Sequence, residues 1–301
     1  MNTQSNTFPE SVDSQGIAPA AISATQRMYW SVRRELWESR SIYIAPLAAA
    51  AVVLFGFLLS LSHLPGHMRV ALALDPARQH AAIEKHYDIA AGMIMVTALI
   101  VAVFYCLDAL HGERRDRSIL FWKSLPVSDL TTVLSKAIIP IVLLQLLTFA
   151  ITVATQLIML LLSSFVLLGS GLSVATLWTQ VSLFPMSRML LYHLLIMHGL
   201  WYAPVYSWLL LVSGWARRAA FLWAVLPWLA IFVVEKIAFN TSHFASMLGY
   251  YFTGGMGAAA SGDMFPMTAI QLSSPGLWIG LAIAAAFLAA AVRVRRYQGP
   301  I

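Results

Sequence analysis

Long uncharged runs, broken by short charged clusters, set the pattern of this chain. Ile42 to Leu61 is twenty residues without Asp, Glu, Lys or Arg, and Ile89 to Leu107, between Asp88 and Asp108, is nineteen more. At a rise of about 1.5 Å per residue, twenty helical residues just cross a ~30 Å hydrocarbon core. A third uncharged stretch opens at Ala137, and its continuously apolar part ends near Leu168, where Gly169, Ser170, Gly171 and later Pro185 mark a connection. Met189 to about Ser213, Ala219 to Val234 and Leu277 to Val292 follow. Glu235 and Lys236 close the fifth run, and Arg293, Arg295 and Arg296 close the sixth. The pattern predicts an all-α integral membrane protein with six transmembrane helices.

Ahead of the first span, Met28, Tyr29, Val32, Leu36 and Trp37 recur at helical spacing, while Arg27, Arg34 and Glu38 fall on the other side. This predicts an amphipathic helix lying in the membrane interface, with tryptophan at headgroup depth. It serves either as an anchor or as a lever onto the first span. Residues 1–24 are polar, with only Glu10 and Asp13 charged, and lack the basic-then-apolar order of a signal peptide. They read as a disordered cytoplasmic tail. Residues 25–296 then form one six-helix membrane domain, and 297–301 a short cytoplasmic C-terminal tail.

Composition sharpens this. Hydrophobic residues make up 59% of the 301-residue chain and charged residues 11%, with a mean hydropathy of +0.75; soluble domains carry about 25% charged residues. A soluble enzyme, a nucleic-acid-binding module and a disordered chain are excluded. Cys106 is the only cysteine, so no intramolecular disulfide exists. The net charge of +6 is explained by where the charges fall. With a cytoplasmic N-terminus, fourteen of the nineteen basic residues lie on the inner side, among them Arg27, Arg33, Arg34, Arg40, Arg114, Arg115, Arg117, Lys123 and Lys136. Arg217, Arg218, Arg293, Arg295 and Arg296 complete that set. Basic residues collect in cytoplasmic loops, so both termini are expected in the cytoplasm, with lipid rather than nucleic acid as the partner of the charge.

The loop after the second span is the most informative. Glu113, Arg114, Arg115, Asp116 and Arg117 give way to four large apolar residues, Ile119, Leu120, Phe121 and Trp122, and then to Lys123, Leu125 and Pro126. Pro126 stops a helix, and Ser128 or Asp129 can cap the next. Such a knob, exposed to water, is a sticky patch that must bury against lipid or a protein partner. The run Gly112-Glu113-Arg114, Ser118-Ile119-Leu120, Trp122-Lys123-Ser124-Leu125-Pro126-Val127-Ser128 and Leu134-Ser135-Lys136 resembles the loop between helices two and three of type-2 ABC transporter permeases. There a glutamate-containing stretch precedes a short coupling helix, a Leu-Pro pair and a lysine that opens helix three. Six spans, the amphipathic N-terminal helix and a long last outer loop also match, so the resemblance covers residues 25–296. Arg117-Ser118 departs from it, standing where many members have Gly-Thr.

The resemblance implies the permease subunit of a bacterial ATP-driven exporter in the inner membrane, working as a homodimer with two separate ABC ATPase subunits. Glu113, Arg114, Arg115, Arg117, Ile119, Leu120, Phe121, Trp122, Lys123, Leu125 and Pro126 would couple to the ATPase. ATP and Mg would bind that partner, for this chain has no Gly-rich phosphate loop ending in Gly-Lys-Ser/Thr, and so it is expected to be no enzyme and to hold no cofactor itself.

From Phe239 to Pro275 the chain is mildly apolar, glycine-rich and free of Lys and Arg. Its apolar pieces are too short to span and read as re-entrant helices between spans five and six, with Tyr250, Tyr251 and Phe252 beside Glu235 and Lys236 as a candidate outer gate. On helix four, Tyr202 and Tyr206 are candidates for the pathway or a dimer seam. His193 and His198, five apart, should point about 140° away from each other on an α-helix and hold no metal together. His63, His67, His80 and His86 share the first outer loop, but Pro65 breaks their spacing and no metal site is expected. Gly171-Leu172-Ser173, with His198, leaves an intramembrane serine hydrolase as an alternative. A non-transporting immunity or scaffold protein is another. No buried charged row appears on any span, so a hydrophobic or amphipathic cargo fits better than an ion.

Overall fold

The computed structural model describes residues 23–124, 127–171, 173–252 and 270–299. Most of the N-terminal tail, Leu125, Pro126, Leu172, residues 253–269 and the last two residues lie outside the described residues. Among the described residues every regular element is a helix.

Helix α1 (Ala24–Glu38) starts where Ser23 and Gln26 form a capping box, each side chain accepting the other's backbone N–H at 3.2 and 3.4 Å. Helix α2 (Ser41–Ser60) runs through a 3₁₀ turn into α3 (Leu64–Leu72), and α4 (Pro76–Ala109) follows, with proline in its first turn, where no N–H is needed. Two short helices, α5 (His111–Arg115) and α6 (Ile119–Ser124), are hinged by Arg117, whose φ of 58° lies in the region that favours glycine. This is the position at which the family resemblance departs from Gly. Ser128 caps α7 (Asp129–Ile138), and a π-helical turn, Ile139–Leu143, leads into α8 (Leu144–Gly169). Pro140 sits in that turn; the wider ring accommodates a residue with no N–H to give.

Helices α9 (Val174–Gln180) and α10 (Leu183–His193) continue into a second π-helical stretch, Leu194–Trp201, and then α11 (Ala203–Trp215). Helices α12 (Ala220–Phe239), α13 (His243–Phe252), α14 (Ile270–Ser273) and α15 (Pro275–Tyr297) complete the order.

Among the described residues, five helical stretches are long and apolar enough to cross a membrane: Ser41–Leu72, Arg78–Arg115, Asp129–Gly169, Ala220–Phe239 and Pro275–Tyr297. Leu177–Trp201 with Ala203–Trp215, bent by 44°, makes a sixth if the pair counts as one crossing. The chain is therefore a multi-pass helical membrane protein. Half of the apolar window of α4 is buried, against 11% for α12, so α4 lies inside the bundle and α12 at its edge. One core cluster, with Ile42, Ala102, Tyr105, Tyr206, Leu210 and Leu277, joins α2, α4, α11 and α15. A second, with Phe57, Met68, Ile83, Leu167, Leu177 and Val181, closes the opposite end. Exposed Phe55, Phe104 and Phe165 belong to a surface that lipid covers at no cost.

Candidate functional site

Charged residues from four separate segments meet at the end of the bundle that carries α5 and α6. Glu35 of α1 and Lys136 of α7 are each 2% exposed, and Lys136 Nζ donates to both Glu35 carboxylate oxygens at 2.9 Å. Lys136 Nζ also lies 3.1 Å from Glu113 Oε1, and Arg295 of α15 pairs with Glu113 Oε2 while its Nε donates to Asp129 Oδ1 at 3.1 Å. Arg34 adds a bond to Glu35 at 2.7 Å and stacks its guanidinium 3.8 Å from the Trp122 ring centre. Tyr105 Oη, from α4, donates to Glu35 Oε2 at 3.0 Å. Three buried or partly buried carboxylates, Glu35, Glu113 and Asp129, face three cations, and the more exposed Glu38 joins the cluster at its edge, 3.7 Å from Arg34.

Its electrostatics follow from that balance. Burial alone would raise the Glu35 carboxyl, but Lys136 and Arg34 overcome it and hold the group below its ordinary value. Glu38, one turn further and half-buried, is pushed up by burial because its share of cation is smaller. Removing one member of such a buried set leaves an uncompensated charge, so the four segments are fixed relative to one another.

The structure divides the residues singled out in this loop into anchors and an exposed step. Glu113 and Arg114 are buried, and Ile119 is 1% exposed. Arg114 Nη1 donates to the Gly214 and Ala216 carbonyls at 2.6 and 3.2 Å, capping the end of α11, and its Nε reaches the Gly299 carbonyl at 3.2 Å. Ser213 Oγ accepts the Leu110 and His111 backbone N–H groups, and Lys123 donates to the Gln298 carbonyl. Leu120 and Phe121, by contrast, are 59% and 60% exposed, with Arg115 and Arg117 exposed beside them and Trp122 half-buried edge-on to Phe121. Leu125 and Pro126 lie outside the described residues.

Sequence reasoning missed Glu35, Tyr105, Asp129 and Arg295 as members of this site and named Lys136 only as a motif residue. A signal existed for Glu35. It falls between Val32 and Leu36 on the apolar side of α1, where a carboxylate demands a buried partner.

At the opposite end the gate candidates take separate places. Glu235 accepts the backbone N–H groups of His243 and Phe244 at 2.6 and 2.9 Å and the Thr241 hydroxyl at 2.8 Å, which caps the start of α13. Lys236 and Tyr250 are exposed. Tyr251 and Trp201 exchange bonds, each side chain donating to the other's carbonyl, and Tyr202 Oη donates to the Phe252 carbonyl at 2.9 Å. Tyr202 and Tyr206 are buried in the protomer's own core, Tyr206 fully, and so present no face to a second copy in this arrangement.

The two helix-four histidines correct an expectation. On an α-helix they would diverge, but the π-helical stretch widens the turn and brings the rings to 5.1 Å between centres, with Tyr202 5.4 Å beyond His198. No group of three or more potential metal ligands gathers among the described residues. Ser173 opens α9, on the far side of the α10 helix from this aromatic stack. Compared with protein-family models, curated proteins and solved structures, the chain matches none.

Proposed function

We propose that this chain is the membrane subunit of an ATP-driven exporter, working with a second copy of itself and with two separate ATPase chains. Both termini and the α5–α6 loop face the cytoplasm of a bacterial inner membrane, and the re-entrant segment before α15 faces outside. One observation carries the reading: an exposed apolar step, Leu120–Phe121, stands on a buried charge cluster that joins α1, α5, α7 and α15. A protein that docks on the step and pushes it moves the four segments as a unit, α7 and α15 among them as parts of membrane-spanning stretches, because the cluster fixes them to one another. Arg115 and Arg117 beside the step favour an acidic docking surface.

The test replaces the step and leaves the cluster intact. Truncating a central apolar anchor typically costs on the order of 2 kcal/mol or more of binding. Leu120→Ala with Phe121→Ala should abolish co-purification of an ATPase encoded beside this gene and cargo-stimulated hydrolysis, while the permease still inserts. Ser173→Ala serves as the comparison. If that variant is inactive and the double loop variant is fully active, the exporter reading gives way to a hydrolase.

A further inference from the structure

Helix α8 is polar on the side where a membrane helix has least reason to be. Gln145, Thr148, Thr152, Thr155, Gln156 and Ser163 are each no more than 2% exposed. At 100° per residue they fall within an arc of about 100°, and from first to last they extend about 27 Å, nearly the thickness of the hydrocarbon core. Most of their groups are satisfied at home. The hydroxyls of Thr148, Thr155 and Ser163 donate to carbonyls one turn back at 2.7, 2.8 and 2.9 Å, and the Gln145 amide donates to the Pro140 carbonyl at 2.9 Å. The Gln156 amide nitrogen donates across to the Tyr87 carbonyl of α4 at 3.3 Å.

Two atoms remain. Thr152 Oγ1 and Gln156 Oε1 are buried without a hydrogen-bond partner. They sit one turn apart on the same face, at the middle of the apolar run from Ala137 to Leu168. A leftover acceptor in such a place is costly, and packing does not ask for it, since valine and leucine fill similar volumes without the polar atoms. The flanking side chains Phe149 and Val153 belong to an apolar cluster with Ala91 and Met95. Along α7 and α8 the nearest charged residue is Lys136, about 24 Å away on the axis, while on α4 Asp88 directly follows Tyr87, the partner of Gln156.

We propose that Thr152 and Gln156, level with the Asp88 end of the apolar run of α4, form a binding site for the hydroxyl- or amide-bearing head of an amphiphile. A hydroxyl or amide of the ligand donates to Gln156 Oε1 and shares a second hydrogen bond with Thr152 Oγ1, while the ligand's apolar body lies against Phe149 and Val153. The inference rests on the exporter reading only in calling this ligand cargo. Parting of packed helices is a microsecond-to-millisecond motion, so the site is reachable in an equilibrium titration.

The full chain, reconstituted in nanodiscs without any ATPase, is titrated with a pyrene-labelled monoacylglycerol and with the methyl ester of the same labelled acyl chain, reading energy transfer from the protein's tryptophans. The monoacylglycerol should bind saturably and the ester, which has no donor, at least tenfold more weakly. Thr152→Val with Gln156→Leu should cut monoacylglycerol affinity roughly tenfold or more, the worth of one to two hydrogen bonds, and leave thermal unfolding unchanged or raised. Equal binding of the two probes, no saturable binding of either, or unchanged affinity in the folded double variant overturns the proposal. Should the double variant not fold, the two probes on the wild type still decide. Because no ATPase is present, failure of the exporter reading leaves this result standing.

Discussion

Glu35 is one carboxylate on a surface helix, yet Lys136, Arg34 and Tyr105 all converge on it. Replacing it with alanine leaves Lys136 buried with Glu113 as its remaining carboxylate, and breaking a buried pair this way costs about 3–5 kcal/mol. Thermal unfolding of Glu35→Ala should therefore show a large loss, while Glu38→Ala, at a half-buried position, should show little. The pH dependence has a definite sign. Since the folded protein holds the Glu35 carboxyl below its ordinary value, its contribution is complete above the ordinary carboxylate range and is lost as pH falls through the folded value. The wild-type unfolding midpoint should fall in acid along that course, and Glu35→Gln should flatten it. Equal slopes for the two proteins would show that the carboxylate does not hold α1 in place.

At the scale of elements, what the sequence disclosed and what it hid have separate physical causes. Charge-free runs gave α2, α4, α8, α12 and α15, because burying a charge in hydrocarbon is so costly that its absence is visible from composition alone. The amphipathic α1 and the Ser128 cap were equally legible. The partners of Glu113 were not, since Arg34, Lys136 and Arg295 lie up to 182 residues away and only the fold brings them together. The two π-helical turns were hidden for another reason: residue spacing is read with an assumed 3.6-residue period, and a single wide turn breaks it. Those turns cross at Gly199. A Cβ there would lie 2.7 Å from the Ile141 carbonyl oxygen and 3.5 Å from that of Leu194, both backbone atoms that cannot swing aside. Gly199→Ala should thus destabilise the protein by about 1–3 kcal/mol, as overpacking does. Gly56→Ala, with nothing within 4 Å of the added carbon, should be neutral or slightly stabilising in the same thermal scan. A neutral Gly199→Ala would mean that the two turns do not pack this closely.

For the whole molecule, the number of crossings decides on which side each loop emerges, and the bent α10–α11 pair holds the answer. Its beginning packs far from the charge cluster: Val181 is buried in, and Leu183 and Met186 pack against, the cluster of Phe57, Met68 and Leu167. Its end is tied to the α5 loop, where Arg114 takes the Gly214 and Ala216 carbonyls and Ser213 takes the Leu110 and His111 N–H groups. A segment that begins at one end of the bundle and finishes at the other crosses it, whatever its bend. If it is counted as one crossing there are six, and α1, the α5–α6 loop, the α11–α12 junction at Arg217 and the end of α15 then fall on one side, as the proposed arrangement requires. On the proposed reading, positive-inside bias assigns that side to the cytoplasm. Reporters placed at Arg115, at Arg217 and after Arg296 should then all give the cytoplasmic signal, and reporters near Asp75 and Asn240 the external one. With only five crossings the bent pair would return to its own side, and the Arg115 and Arg217 reporters would disagree; that single disagreement would overturn the arrangement, because Arg114 could not then reach the end of α11.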